Sequence, residues 1–106
     1  MTEYHIVLES PLGERQGLLS LQQQNNDAVS GIITLLGCRN PISGTRQGME
    51  YRLRHSLRTL LNTLECETTL QAVQDTITGT VQVGPVRMPL HGQIIKKEGD
   101  PHGTAE

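Results

Sequence analysis

The sequence repeats itself at a fixed distance, and this repeat constrains the fold more than any other feature. The segment DAVSG at 27–31 is matched by DTITG at 75–79, and PISG at 41–44 is matched by PLHG at 89–92. Both pairs share an offset of 48 positions (27 to 75 and 41 to 89). Because a fixed period indicates repeated supersecondary units, we expect two units of about 48 residues each.

A unit of this length suits four strands of 8–10 residues joined by tight turns. Apolar and polar residues alternate with a period of two, and Gly, Pro and Asn separate the alternating runs. We therefore predict an all-β, eight-stranded antiparallel up-and-down meander barrel within residues 1–96. Glycines inside the predicted strands fit the bends and close approaches of a small barrel. The strands are expected near 3–9, 16–23, 28–36, 40–46, 49–57, 62–70, 75–83 and 86–96.

One segment also fits a helix. Residues 53–73 carry leucines at helical spacing, so a helix at 53–65 stays an alternative, as does a two-sheet β-sandwich. The strand interpretation is favoured because the repeat aligns this segment with residues 5–25, which contain a proline and two glycines. A hairpin here is predicted to set Arg54 opposite Glu65.

Composition narrows the classes of function. The formal net charge of -2 offers no basic surface for nucleic acid or for an anionic membrane. The N-terminal residues lack the basic and apolar regions of a signal peptide, and a cytoplasmic location is expected. Cys38 and Cys66 are too few for a disulfide framework and are interpreted as free core thiols, although a single bridge between them stays open. Residues 97–106 are polar and predict a disordered tail.

The motifs GLLSL at 17–21, VSGII at 29–33, NPISG at 40–44 and ITGTV at 77–81 resemble those of avidin/streptavidin-like barrels of the calycin group. They look more like those of small uncharacterised bacterial domains that occur alone or fused behind flavin-dependent oxidoreductases. The resemblance covers about residues 3–95 and implies an eight-stranded meander barrel. Avidin-type sites enclose biotin with several Trp side chains. This chain has no Trp, so no biotin-site residue is carried over.

No motif in the sequence specifies a reaction. The four histidines lack metal-site spacing, and neither a nucleophile elbow nor a phosphate-binding glycine motif is present. Glu65 and Glu67 lie near arginines and are interpreted as solvated ion pairs. The chain is therefore predicted not to be an enzyme, and no cofactor and no metal are expected.

Tyr51 and His55 are the candidate ligand-binding residues. The odd positions of the strand at 49–57 form a mostly apolar face, which places both side chains inside the barrel. His55 is either a core histidine bonded to Tyr51, Thr68 or a backbone group, or it joins Tyr51 in orienting the polar end of a small ligand. The expected lining is Leu19, Leu21, Val29, Ile33, Tyr51, Leu53, His55, Leu64, Ile77, Val81, Met88 and Leu90.

Ile32 and Leu36 are the candidate interface residues. With Ser30 and Thr34 they are expected to form an apolar outer face on the strand at 28–36, and exposed apolar surface usually indicates a partner. A homodimer is therefore expected. Two functions follow from the sequence: a non-enzymatic barrel that binds a small apolar or weakly polar ligand, or an interaction domain that associates with itself or with an oxidoreductase.

Overall fold

The fold is a closed barrel of eight antiparallel strands in sequence order, and the computed structural model describes it for residues 2–58 and 62–96. No helix occurs in this part of the chain, so the predicted up-and-down barrel is confirmed. The alternative of a helix at 53–65 is wrong, because the described residues of that segment form no helix. The alternative of a two-sheet sandwich is also wrong, because the strands close into a single barrel. The strands are β1 (Thr2–Ser10), β2 (Gly13–Gln23), β3 (Ala28–Leu35), β4 (Cys38–Gln47), β5 (Glu50–Arg58), β6 (Thr63–Val73), β7 (Thr76–Val83) and β8 (Val86–Lys96).

The barrel closes where β8 pairs with β1. Tyr4 lies opposite Ile94 and Leu8 lies opposite Leu90, with a register shift next to Glu3. Closure pairs the first strand with the last, so no open sheet edge is left for strand addition. A partner must therefore dock on the outer wall or at one end. The predicted tail at 97–106 lies outside the described residues.

The turns alternate between the two ends of the barrel. We call one end of the barrel the hairpin end; it carries the turns at 11–12, 36–37 and 84–85. We call the other end the terminal end; it carries Thr2, Lys96 and the turns at 24–27, 48–49 and 74–75. At the hairpin end, Leu36 and Gly37 both adopt left-handed backbone angles, with φ of 56° and 76°. Two such residues in succession suit the tight two-residue turn of a twisted hairpin.

Two glycines of the sequence repeat lie where strands approach closely. A Cβ atom on Gly31 in β3 would lie 1.7 Å from the backbone oxygen of Ser20, and one on Gly79 in β7 would lie 1.8 Å from that of Thr69. No other residue fits such a contact without a backbone shift, which agrees with the close approaches predicted for these glycines. The composition of the barrel from two repeats stays a prediction.

The inward side chains of all eight strands line the barrel interior. Every residue of the predicted lining is buried except Leu64, which is partly buried and packs against the core. Each buried aliphatic side chain contributes about 1.5–3 kcal/mol. The core also includes apolar residues that the lining prediction omitted, namely Tyr4, Ile6, Leu8, Leu35, Ile42, Leu57, Cys66 and Leu70.

Two details of the β5 region differ from the prediction. Met49 lies in the turn before β5 and is 59% exposed, so it does not belong to the inward face. Arg54 lies opposite Glu67 rather than Glu65. The register moves by two residues because β5 ends at Arg58 and β6 begins at Thr63, which makes the connection longer than a tight hairpin turn.

Candidate functional site

A small group of polar side chains lies on the inner face of β4, β5 and β6. His55 and Thr68 are buried, with exposures of 5% and 2%, and Asn40 shares this face because it lies directly opposite the buried Ile33. Ile42, two residues beyond Asn40, pairs with His55. Diagonal neighbours on one sheet face are about 7–8 Å apart. We call Asn40, His55 and Thr68 the interior polar cluster.

The hydrogen bonds of His55 fix the roles of its two ring nitrogens. Nδ1 lies 3.4 Å from the carbonyl oxygen of Ser56, and Nε2 lies 2.7 Å from Oγ1 of Thr68. A carbonyl oxygen can only accept, so Nδ1–H donates to Ser56. In the neutral ring Nε2 then accepts, and the Thr68 hydroxyl donates to it. His55 is thus a core histidine bonded to Thr68, which is one of the two interpretations drawn from the sequence.

Burial keeps the His55 ring in its neutral form. Removal from water lowers the pKa of the imidazole, and the Ser56 carbonyl and the Glu65 carboxylate oppose this effect only in part. Cys66 lies directly opposite His55 on β6, and burial raises the pKa of its thiol. Both groups are therefore held uncharged at neutral pH.

Asn40 is the member of the cluster that sequence reasoning missed. Its Nδ2 atom is buried, and among the described residues it has no hydrogen-bond partner. Asn is uncommon inside strands, and Asn40 alternates with Ile42 on the same face. These two features of the sequence are the signal that could have identified it.

Tyr51 does not join the interior polar cluster. It is buried on the same face of β5 as His55, as predicted, but four residues of strand separate the two by about 13 Å. Tyr51 lies near the terminal end, directly opposite Arg46, whose guanidinium carbon is 5.3 Å from the centre of its ring. Burial and the nearby Tyr51 raise the pKa of Tyr4, and Arg46 opposes them. The predicted pair is thus separated along β5, with Tyr51 near the terminal end and His55 close to the middle of the strand.

The candidate interface residues lie in different places. Ile32 is 36% exposed on the outer face of β3, as predicted, between Ser20 on β2 and Pro41 on β4. Leu36 is exposed too, but β3 ends at Leu35, so Leu36 belongs to the turn at the hairpin end and not to the outer face of the strand. This placement corrects the prediction for Leu36.

The outer surface has two walls of opposite character. The neutral wall is the uncharged part of the outer face of β2, β3 and β4, and Arg39, directly opposite Thr34, borders it toward the hairpin end. It consists of Leu18, Ser20, Gln22, Ser30, Ile32, Thr34, Pro41 and Ser43. The charged wall is the outer face of β5 and β6. There Arg52 contacts Glu50 at 2.7 Å and Arg54 contacts Glu67 at 3.6 Å. The exposed pair of Arg54 and Glu67 matches the solvated ion pair predicted for Glu67. Glu65 instead accepts a hydrogen bond from the Ser56 hydroxyl, and the pair of Arg52 and Glu50 was not predicted.

Hollows lie along the outside of the barrel in the described part of the chain. One of about 460 Å³ lies over β1, β7 and β8, beside His5 and His91. His91 faces outward, with Nε2 3.8 Å from the Glu9 carboxylate. Within residues 2–58 and 62–96, no group of three or more His, Cys, Asp or Glu side chains is arranged to hold a metal ion. No helix in this same part of the chain could cross a membrane.

The comparisons with known proteins agree with the barrel. No family model matches the chain, and no curated protein matches it. Among solved structures, a redesigned β-barrel is similar, with a TM-score of 0.64 and 13% identity over 91% of this chain and 90% of that chain. A second redesigned barrel, mFAP1 bound to DFHBI, has a TM-score of 0.62 and 13% identity, over 87% of this chain and 90% of that chain.

The fold and these comparisons define the class of the protein: a small, closed, eight-stranded antiparallel up-and-down β-barrel. At 13% identity the similarity shows the fold alone. The resemblance to avidin-type barrels, and to bacterial domains associated with flavin oxidoreductases, stays a prediction.

Proposed function

We propose that this protein is a non-enzymatic module that holds one small, mostly apolar molecule inside its barrel. The observation that carries the proposal is the buried Nδ2 atom of Asn40, which faces the interior and has no partner among the described residues. A buried donor left without a partner costs about 1–3 kcal/mol. An acceptor atom on a bound molecule removes this cost.

The lining of the barrel supports the same function. Small-molecule sites are mostly apolar, with a few polar groups that orient the ligand. The interior polar cluster supplies such groups in an otherwise aliphatic barrel. An eight-stranded barrel is wide enough to be filled by side chains or to hold one small ligand. A barrel of similar fold, mFAP1, is bound to the small molecule DFHBI.

The state of the polar groups favours binding over catalysis. Both ring nitrogens of His55 are engaged, by Ser56 and by Thr68, so neither is free to take a proton from a substrate. The raised pKa of the Cys66 thiol keeps it protonated, and a thiol is a poor nucleophile. Since Cys38 and Cys66 are free thiols, we infer a reducing, cytoplasmic location for the module.

A thermal-shift screen with neutral metabolites and free flavins tests the proposal. We expect at least one compound to raise the melting temperature of the parent and of His91→Leu, a control on the outer wall. The same compound is expected to have no effect on His55→Leu. The double variant with His55→Leu and Thr68→Val replaces the single one if that variant is too unstable. A screen without any stabilising compound contradicts ligand binding, and a shift that survives in the His55 variants removes the pair of His55 and Thr68 from the binding site.

The neutral wall favours a second function, as an interaction domain. Leu18 and Ile32 are 47% and 36% exposed on neighbouring strands, and a hollow of about 290 Å³ lies between Leu18 and Thr34. The centres of protein interfaces are depleted in charged residues. The centre of this wall is uncharged, so two copies can pack centre to centre without placing like charges together. A homodimer is therefore the partner that we propose, with an oxidoreductase as the other candidate.

Sedimentation of the protein at tens of micromolar tests this second function. We expect a dimer, and we expect Ile32→Lys to dissociate it because the new charge is buried against its symmetry mate. Thr80→Lys, on the outer face of β7, is the matched control and should leave the dimer intact. If the parent sediments as a monomer, the proposed homodimer is wrong. If the dimer persists in Ile32→Lys, the neutral wall is not its interface.

A further inference from the structure

We propose that the bound molecule is neutral and presents a hydrogen-bond acceptor, a carbonyl or ether oxygen, to the side-chain amide of Asn40. This inference rests on the proposed ligand-binding function and names the chemical class of the ligand. It assigns the orienting contact to Asn40 on β4, rather than to Tyr51 and His55 on β5.

The donors and acceptors of the interior polar cluster define what the ligand must supply. His55 donates through Nδ1 to Ser56 and accepts at Nε2 from the hydroxyl of Thr68. The protons of this pair are therefore used within the protein. The Nδ2 protons of Asn40 are the donors of the cluster without a partner in the described residues. A complementary ligand atom must accept, because a second donor would leave both groups unsatisfied.

The surroundings of the cluster exclude a charged ligand. The residues beside it on the inner face are apolar or neutral, with Ile33 and Ile42 on one side and Cys66 on the other. Burial keeps His55 uncharged. A carboxylate or an ammonium group placed here would have no counter-ion, and an unpaired buried charge is very costly.

Position and size follow from the same geometry. Asn40 lies two residues from Cys38, where β4 begins at the hairpin end. The acceptor therefore points toward the hairpin end, while the apolar body of the ligand lies among aliphatic side chains. Because a barrel of eight strands has little interior space, the ligand is compact, with one ring or a short chain.

Three ring compounds test whether the ligand is a neutral acceptor, purely apolar or charged. They are cyclohexanone, cyclohexane and cyclohexanecarboxylate. Binding is followed by the ¹H–¹⁵N resonances of the Asn40 side chain, together with the melting temperature. We expect cyclohexanone to shift the Asn40 side-chain resonances and to bind at least about tenfold more tightly than the other two, as one satisfied buried donor implies. Asn40→Leu should lose this preference, and Thr80→Val, a control on the outer wall, should keep it.

The outcomes distinguish the inference from the function on which it rests. If none of the three compounds and nothing in the metabolite screen binds, the ligand-binding function fails and the inference fails with it. If cyclohexane or the carboxylate binds as tightly as cyclohexanone, or if Asn40→Leu keeps the preference, the barrel still binds ligands and the inference is wrong. Should Asn40→Leu fail to fold, Asn40→Asp removes the donor at the same size, and retained preference there also overturns the inference.

Discussion

Thr68 Oγ1 lies 2.7 Å from His55 Nε2 inside the barrel, although the two residues are not directly paired. Thr68 pairs with Leu53, and His55 pairs with Cys66, so the hydrogen bond runs diagonally between β5 and β6. It joins a buried hydroxyl donor to a buried ring acceptor. Without this hydrogen bond, each of the two buried polar groups would lack a partner. The first two predictions follow from this pair.

Removing one partner should destabilise the protein more than removing both. Thr68→Val leaves Nε2 of His55 buried without a donor, and we expect the free energy of unfolding to fall by about 1–3 kcal/mol. Adding His55→Leu removes the orphaned acceptor and should recover most of that loss. Urea denaturation of the four proteins in a double-mutant cycle measures the coupling. Simple additivity of the two single effects would contradict the hydrogen bond.

The stability of the protein should fall as the solution becomes acidic. Burial lowers the pKa of His55 in the folded protein, whereas a histidine in the unfolded chain takes up its proton near pH 6.5. Between that value and the lower folded pKa, the unfolded state binds more protons. The contribution of His55 is therefore complete above about pH 7 and is lost as the pH falls through the folded pKa.

Urea denaturation of the parent and of His55→Leu between pH 8 and pH 5 measures this effect. Below pH 6.5, we expect the unfolding free energy of the parent to fall more than that of His55→Leu, because only the parent loses the contribution of His55. Parallel pH profiles would mean that His55 is as easily protonated in the folded protein as in the unfolded chain.

Local sequence pattern was sufficient to predict the strands, because alternation and turn residues are properties of neighbouring positions. The turn at Gly37 and the close approaches at Gly31 and Gly79 follow from the same kind of signal, although the pattern assigned Leu36 to the strand instead of the turn. Alternation also assigned Tyr51 to the interior. It assigns a residue to one face, however, and does not say which other residues on that face are its neighbours.

The sequence offered Thr68 as one of several partners for His55 and could not choose among them, because the choice depends on register. A tight hairpin between β5 and β6 would set Arg54 opposite Glu65, and the longer connection shifts the partner of Arg54 to Glu67. The same shift places Cys66 opposite His55 and brings Thr68 within hydrogen-bond distance. The length of one loop therefore decides which polar residues meet inside the barrel.

The glycine in the middle of β7 should be far less replaceable than one in a turn. Gly79→Ala places a Cβ atom 1.8 Å from the backbone oxygen of Thr69, and relief requires a shift of two strands. We expect a loss of more than about 2 kcal/mol. Gly48→Asn is the matched control, because Gly48 has φ of 62° and open space around it, and Asn tolerates this conformation at a cost below about 1 kcal/mol. Equal melting temperatures for the two variants would rule out the close strand approach.

The two thiols should differ strongly in reactivity. Cys66 is buried inside β6, and burial raises the pKa of its thiol, so the reactive thiolate is scarce. Cys38 is only partly buried, at the start of β4 and next to the turn at the hairpin end. With an aromatic disulfide reagent at neutral pH, we expect Cys38 to react at least about ten times faster than Cys66, and both to react rapidly in urea. The variant Cys38→Ser isolates Cys66 and should show only the slow phase in the native protein. A fast reaction that survives in this variant would mean that Cys66 does not lie inside a closed barrel.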